Sequence, residues 1–248
     1  MSRQLSIVTG ASRGLGLALT EQLLARGDRV VALARRAPDL VVPPGAELLP
    51  WTLDLAQAPA AAARLAQWLA QQDPASWAAA TLINNAGVVS RPGPLADSDD
   101  ADLSNALRVG LEAPLLLTAA FLRATAAWRL PRKVLLVSSG LGRRAMAGSA
   151  SYCAAKAGLD HLARAVALEE AGLPHGARIV SLAPGVIDTD MQVQLRGADP
   201  ARFPERERFV GFHAAGQLDS PTTAAAKVLR YLDRADFGSQ PVADVRDA

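Results

Sequence analysis

The stretch Leu5-Ser6-Ile7-Val8-Thr9-Gly10-Ala11-Ser12-Arg13-Gly14-Leu15-Gly16 decides the fold of this chain. Its first half is short, apolar and β-branched, the composition of a strand buried on both faces, and its second half opens a Leu/Ala-rich segment of helical period. Between them, glycines at Gly-x-x-x-Gly-x-Gly spacing let the backbone turn tightly and come close to a ligand. The N–H groups and positive dipole end of the following helix suit a pyrophosphate. Gly10, Ser12, Arg13, Gly14, Leu15 and Gly16 are the candidate residues for that task.

Outward from this turn, short apolar runs alternate with longer helical ones. Strands are expected at Leu5–Thr9, Arg29–Leu33, Glu47–Leu53, Thr81–Asn84, Lys133–Ser138 and Arg178–Leu182, with a last short one at Pro241–Val245. Helices are expected at Leu15–Ala25, Ala60–Gln71, Leu103–Trp128, Tyr152–Glu170 and Thr222–Leu232. Such alternation predicts an α/β fold: one domain over residues 1–248, built as a doubly wound (Rossmann-type) parallel sheet with helices on both faces. The segment 184–221 is too long and irregular for a plain connection and reads as a substrate lid.

The 248 residues carry 26 Lys and Arg against 24 Asp and Glu, a net charge of +2, and no basic stripe. Nucleic acid is therefore a poor partner. No uninterrupted apolar run of about 18 residues is present, so no membrane span is expected. One cysteine, Cys153, allows no internal disulfide and no cysteine zinc site, so no metal is expected. The N-terminal residues lack an export-signal pattern, and the expected location is the cytoplasm.

The second strand, Val30-Val31-Ala32-Leu33-Ala34, leads into Arg35. An acid in this corner would accept from the ribose 2′-hydroxyl of NAD; Arg13 and Arg35 instead suit the 2′-phosphate of NADP(H).

Further along come Asp54-Leu55, Asn84-Asn85-Ala86-Gly87, Ser139, Tyr152-x-x-x-Lys156 and Pro184-Gly185-Val186-Ile187-Asp188-Thr189, in that order. This ordered set resembles the short-chain dehydrogenase/reductase family over essentially the whole chain. The second half is closest in pattern to its sepiapterin reductases and bacterial benzil reductases, through Ser151-Tyr152-Cys153-Ala154-Ala155-Lys156 and Ala183-Pro184-Gly185-Val186-Ile187-Asp188-Thr189-Asp190-Met191-Gln192.

The resemblance implies an NADPH-dependent reductase acting on the carbonyl of an α-dicarbonyl compound, with Ser139, Tyr152 and Lys156 catalytic. Tyr152 donates the proton, Ser139 holds the carbonyl oxygen, and Lys156 bonds the nicotinamide ribose. A phenol titrating near 10 needs help to act as an acid at neutral pH. A lysine charge at about 4 Å, with an effective dielectric of about 20, contributes about 4 kcal/mol, enough to bring Tyr152 towards neutrality. Asp54 with Leu55 is assigned to the adenine, and Asn85, Ala86 and Gly87 to the cofactor cleft, with Gly87 on the adenine side. Asn84 is assigned to stabilising the sheet and lining the same cleft. Pro184, Gly185, Val186 and Thr189 are assigned to the nicotinamide carboxamide.

Asp244, in Ser239-Gln240-Pro241-Val242-Ala243-Asp244, is a candidate anchor for a pterin. Met191, with Leu195, Phe203, Phe209 and Phe212, is a candidate apolar wall for the substrate. Where the family carries an asparagine that holds a proton-relay water, this chain has Gly110. That departure keeps open a catalytically weak NADP-binding regulator and a structural subunit beside the enzyme; a pterin side-chain reductase is the other alternative. The resemblance also implies a homo-oligomer, a dimer or tetramer.

Overall fold

The computed structural model describes residues 3–247. Seven strands form one wholly parallel sheet: β1 (Arg3–Thr9), β2 (Arg29–Ala34), β3 (Glu47–Thr52), β4 (Trp77–Asn84), β5 (Arg132–Val137), β6 (Arg178–Ala183) and β7 (Val242–Asp244), in the order β3-β2-β1-β4-β5-β6-β7. The order reverses between β1 and β4, and in open α/β sheets ligands bind at the carboxyl ends of the strands flanking such a switch.

Side-chain alternation along β1 divides the core. Leu5 and Ile7 face one layer with α2 (Ala58–Leu69), α4 (Ala113–Ala124) and α5 (Ala150–Ala171), around Phe121 and Leu65. Val8 faces the other with α1 (Gly14–Ala25) and α8 (Pro221–Leu232), around Leu19 and Val228. Each such fully buried side chain contributes about 1.5–3 kcal/mol relative to exposure. A third, smaller cluster of Leu141, Met146, Leu195, Phe203 and Phe209 holds the lid together.

Three expectations about the elements need correction. Strand β4 begins at Trp77 rather than Thr81, because Ala78 to Ala80, neutral in propensity, are drawn into pairing with Arg3 to Leu5. The long helix after β4 starts earlier and ends earlier than Leu103–Trp128: α3 (Asp100–Leu107), a π-helical turn (Arg108–Glu112) and α4 run on as one helical stretch to Ala124. Asp99 sets its start by accepting from the Asp102 N–H. Pro114 accounts for the π turn, since its ring lacks an N–H and would press on the carbonyl four residues back, at Gly110. Asp100–Ala124 has the length and apolar character of a membrane crossing, but half of its most apolar window is buried within the fold, where α4 packs on α2 and α3 on α5. Finally, residues 184–221 contain two helices, α6 (Asp190–Arg196) and α7 (Arg206–Ala214). Backbone bonds from Asp188 N–H to Asp219 O and from Asp219 N–H to Val186 O, each 2.9 Å, tie the base of this excursion.

Candidate active site

A cleft of about 1050 Å³ opens along the carboxyl ends of β1, β4, β5 and β6, at the upper end of the usual range for small-molecule sites. Its floor is pinned by Thr9 and Asn85. The Thr9 hydroxyl accepts from the N–H groups of Asn85 and Ala86, and the Asn85 amide donates to the Thr9 carbonyl, all at 2.9 Å. Asn84 is directed elsewhere: it is buried, donates to the Thr118 hydroxyl at 3.2 Å, and does not line the cleft. The sheet-stapling, cleft-lining role expected of Asn84 thus falls to its neighbour.

The glycine turn meets a dinucleotide's demands. Gly10 and Gly14 have φ of +69° and +53°, and a Cβ on Gly16 would lie 2.1 Å from the Gly10 carbonyl oxygen. Among the described residues no side chain caps the N-terminus of α1, which leaves its first N–H groups turned to the cleft for an anion. Asp54 lines the adenine end while its carboxylate caps the following turn through the Ala56 N–H at 3.0 Å. Arg35 stands exposed at the end of β2, and no acid precedes it on the strand. Arg13 reaches the cleft from the turn, but its guanidinium is held by Asp190, the first residue of α6, at 2.7 Å. Thr189 leans over the same turn, its Cγ2 3.3 Å from where a Cβ of Gly14 would be.

At the other end lie Ser139, Tyr152 and Lys156. Ser139 follows β5, and its hydroxyl accepts from the Leu141 N–H at 3.2 Å, fixing the loop that carries it. Tyr152 and Lys156 share the cleft face of α5, one turn apart, with Lys156 Nζ 5.5 Å from the Tyr152 ring centre. Lys156 is buried, and its ammonium donates to the Val137 carbonyl at 2.7 Å. Burial pushes the Tyr152 phenol up to about 12, with the adjacent Ser139 hydroxyl acting in the opposite direction. Burial also draws Lys156 down to about 8, with Asp160 opposing it. The expected lowering of Tyr152 by Lys156 is therefore corrected: desolvation outweighs it, because the lysine is tied to β5 rather than to the phenol oxygen.

Every residue assigned above to catalysis, to the cofactor or to the substrate lines this cleft. Some details change. Gly87 sits beside Lys156, where a Cβ would be 3.5 Å from Nζ, and not on the adenine side. Phe203 is fully buried behind the wall that Met191, Leu195, Phe209 and Phe212 present. Asp244 is buried, with its carboxylate taken by Arg246 at 2.6 Å and approached by Arg143 at 3.6 Å. A Cβ at Gly110 would face Ala155 of α5, 3.2 Å away, so this glycine serves close helix packing. Reading the sequence missed Asn105, Arg144, Gln194 and Arg208, which also line the cleft; all lie outside motifs, on segments whose approach is set by the chain's path.

A switch-point cleft with an anion-binding glycine turn at one end and a Ser, Tyr and Lys set at the other defines a nucleotide-dependent α/β oxidoreductase. The comparisons narrow the class. A family model described as short chain dehydrogenase matches residues 4–199, and the chain belongs to the short-chain dehydrogenase/reductase family. It is 30% identical over 235 residues to a benzil reductase ((S)-benzoin forming) of Bacillus cereus, covering 93% of this chain and 94% of that one. It is 31% identical over 256 residues to the sepiapterin reductase of Rattus norvegicus, covering 97% and 95%. A metagenomic short-chain oxidoreductase solved in complex with NADP superposes with a TM-score of 0.71 at 29% identity, covering 97% and 94%.

Proposed function

We propose that this protein is an NADPH-dependent carbonyl reductase acting on α-dicarbonyl compounds of the benzil type. The observation that carries the reading is the convergence of Ser139, Tyr152 and Lys156 at the apolar end of a cleft whose other end is a glycine turn. NADPH supplies the hydride when bound. The chain's own residues do the rest: the Ser139 hydroxyl holds the carbonyl oxygen, and Tyr152, kept protonated by its surroundings, delivers a proton to that oxygen as charge develops. The Lys156 ammonium stabilises the phenolate left behind. Arg35 and Arg13 receive the 2′-phosphate, and Arg13 exchanges its bond to Asp190 for one to the cofactor.

The lid over 184–221, with Met191, Leu195, Phe209 and Phe212, closes on the aryl or alkyl body of the substrate and excludes water. The pairing of Asp244 with Arg246 and Arg143 weighs against its use as a pterin anchor and places diketones ahead of pterins. Exposed Leu107, Leu115 and Leu168 on α3, α4 and α5 support assembly into a homo-oligomer through that side. We place the reaction in the cytoplasm, a compartment that suits the free thiol of Cys153.

The test is NADPH consumption by purified protein against an aryl α-diketone, sepiapterin and a simple aryl ketone. Preference for the diketone supports the reading; preference for sepiapterin returns Asp244 to the substrate site. Silence across the panel with NADPH bound favours the regulator.

A further inference from the structure

Beneath the cleft, one turn beyond Lys156 on α5, lies a carboxylate that the mechanism above does not use. Asp160 is 1% exposed and Lys156 4%. The Oδ1 of Asp160 accepts from the Ser138 hydroxyl at 2.6 Å and from the Ser181 hydroxyl at 2.7 Å. Its Oδ2 has no partner among the described residues, and Gly142, in the loop that carries Ser139, closes over it: a Cβ there would lie 2.6 Å away. The Val137 carbonyl that receives the Lys156 ammonium belongs to the peptide bond leading into Ser138. Asp160, Ser138, the Val137 carbonyl and Lys156 therefore form one buried polar unit between α5 and the end of β5.

A buried carboxylate and a buried ammonium each carry a large desolvation penalty unless an opposite charge stands close by. The groups around this pair supply no other one. On α5 itself the titratable neighbours are Tyr152 and Cys153. From β5 and β6 come only the hydroxyls of Ser138 and Ser181, and from the turn after β4 comes Gly87. Arg143, beside Gly142, is directed to Asp244. Among the described residues no arginine or histidine is paired with Asp160.

We propose that Asp160 is a positioning residue for the reductase reaction, the buried counter-charge that keeps Lys156 an ammonium and, through Ser138, fixes the strand carbonyl that holds it. The inference rests on the catalytic reading of Tyr152 and Lys156 given above. It accords with the direction of the Coulombic effect, in which Asp160 raises Lys156 against the lowering by burial.

The chain contains only three lysines, Lys133, Lys156 and Lys227, so their titration can be followed directly. Protein labelled with ¹³C at lysine Cε is titrated by NMR, with the Lys156 signal assigned by its absence from Lys156→Arg. Asp160→Asn keeps an oxygen for the two serines and removes the charge. Its Lys156 midpoint is expected about one pH unit below that of the parent, and the alkaline fall of the reductase rate is expected to move down with it. Asp160→Ser carries the same expectation should the asparagine disturb folding. An unmoved or raised midpoint in a folded variant overturns the proposal. A midpoint that falls while the rate profile stays in place leaves Asp160 holding the lysine, and overturns the catalytic reading of Lys156 together with Asp160's part in the reaction.

Discussion

Lys156 Nζ stands 5.5 Å from the ring centre of Tyr152 and is bonded not to the phenol but to the Val137 carbonyl at 2.7 Å. The two side chains thus form a loaded acid and a fixed charge, rather than a pre-ionised pair. With its phenol pushed up to about 12, Tyr152 keeps its proton until a developing alkoxide calls for it. Tyr152→Phe removes that proton and little else, so turnover is expected to drop about 10²- to 10⁴-fold. NADPH affinity, read by fluorescence titration, is expected to stay within a few-fold of the parent.

The rate should follow the charge on Lys156. Because burial lowers this ammonium to about 8, reductase activity is expected to fall as pH rises through that value. In Lys156→Arg, whose guanidinium stays charged, any remaining activity should lack this limb. Steady-state rates between pH 6 and 10 decide it.

The same depression has a signature in stability. Between about 8, the folded value, and 10.5, the ordinary one, the unfolded chain holds more protons at this lysine than the folded chain does. The contribution of Lys156 to stability therefore rises with pH across that window, by about 3 kcal/mol in all. Tyr152, raised from 10.0 to about 12, contributes in the opposite sense: its folded form keeps a proton that the unfolded chain gives up, so stability is lost as pH climbs above 10. Urea unfolding at pH 8 and pH 10 should show a smaller gain in Lys156→Met than in the parent.

Arg13 and Arg35 are predicted to choose the cofactor. Arg35→Ala should weaken NADPH about 10- to 100-fold, the value of one hydrogen bond to a charged group, and leave NADH nearly unchanged. Asp190→Asn releases Arg13 from an exposed ion pair. It should tighten NADPH by up to about five-fold, since such pairs contribute about 1 kcal/mol or less. Parallel titrations with both cofactors separate the two effects.

Gly16 tests the turn itself. A Cβ there meets the Gly10 carbonyl oxygen at 2.1 Å and the Asn85 amide at 2.5 Å. Gly16→Ala is expected to lose several kcal/mol of stability, through overpacking against backbone that cannot move aside. A thermal melt close to that of the parent would show that the turn is looser than described.

The parts legible in the sequence were those whose meaning is local. Gly10, Gly14 and Gly16 announce their turn by spacing, and Tyr152 and Lys156 announce a shared helix face by lying four apart. The sheet followed from alternation alone. What escaped depends on partners distant in the chain or on neutral residues. Ala78 to Ala80 join β4 because Arg3 to Leu5 lie alongside them, a preference absent from alanine itself. The Arg13 bond to Asp190 spans 177 positions. The bond from Lys156 to Val137 depends on how α5 lies on β5, and it reverses the outcome expected for Tyr152. Gly110 looked like a missing side chain and proves to be a packing contact with Ala155, in a π turn that Pro114 imposes.

The most direct test of the account is the initial rate of NADPH oxidation with benzil, measured for the parent protein and for Tyr152→Phe. The account predicts steady turnover by the parent, faster with NADPH than with NADH, and loss of that turnover in the variant while NADPH still binds. Equal rates in the two proteins, or a parent that binds NADPH and turns over no diketone, would contradict it.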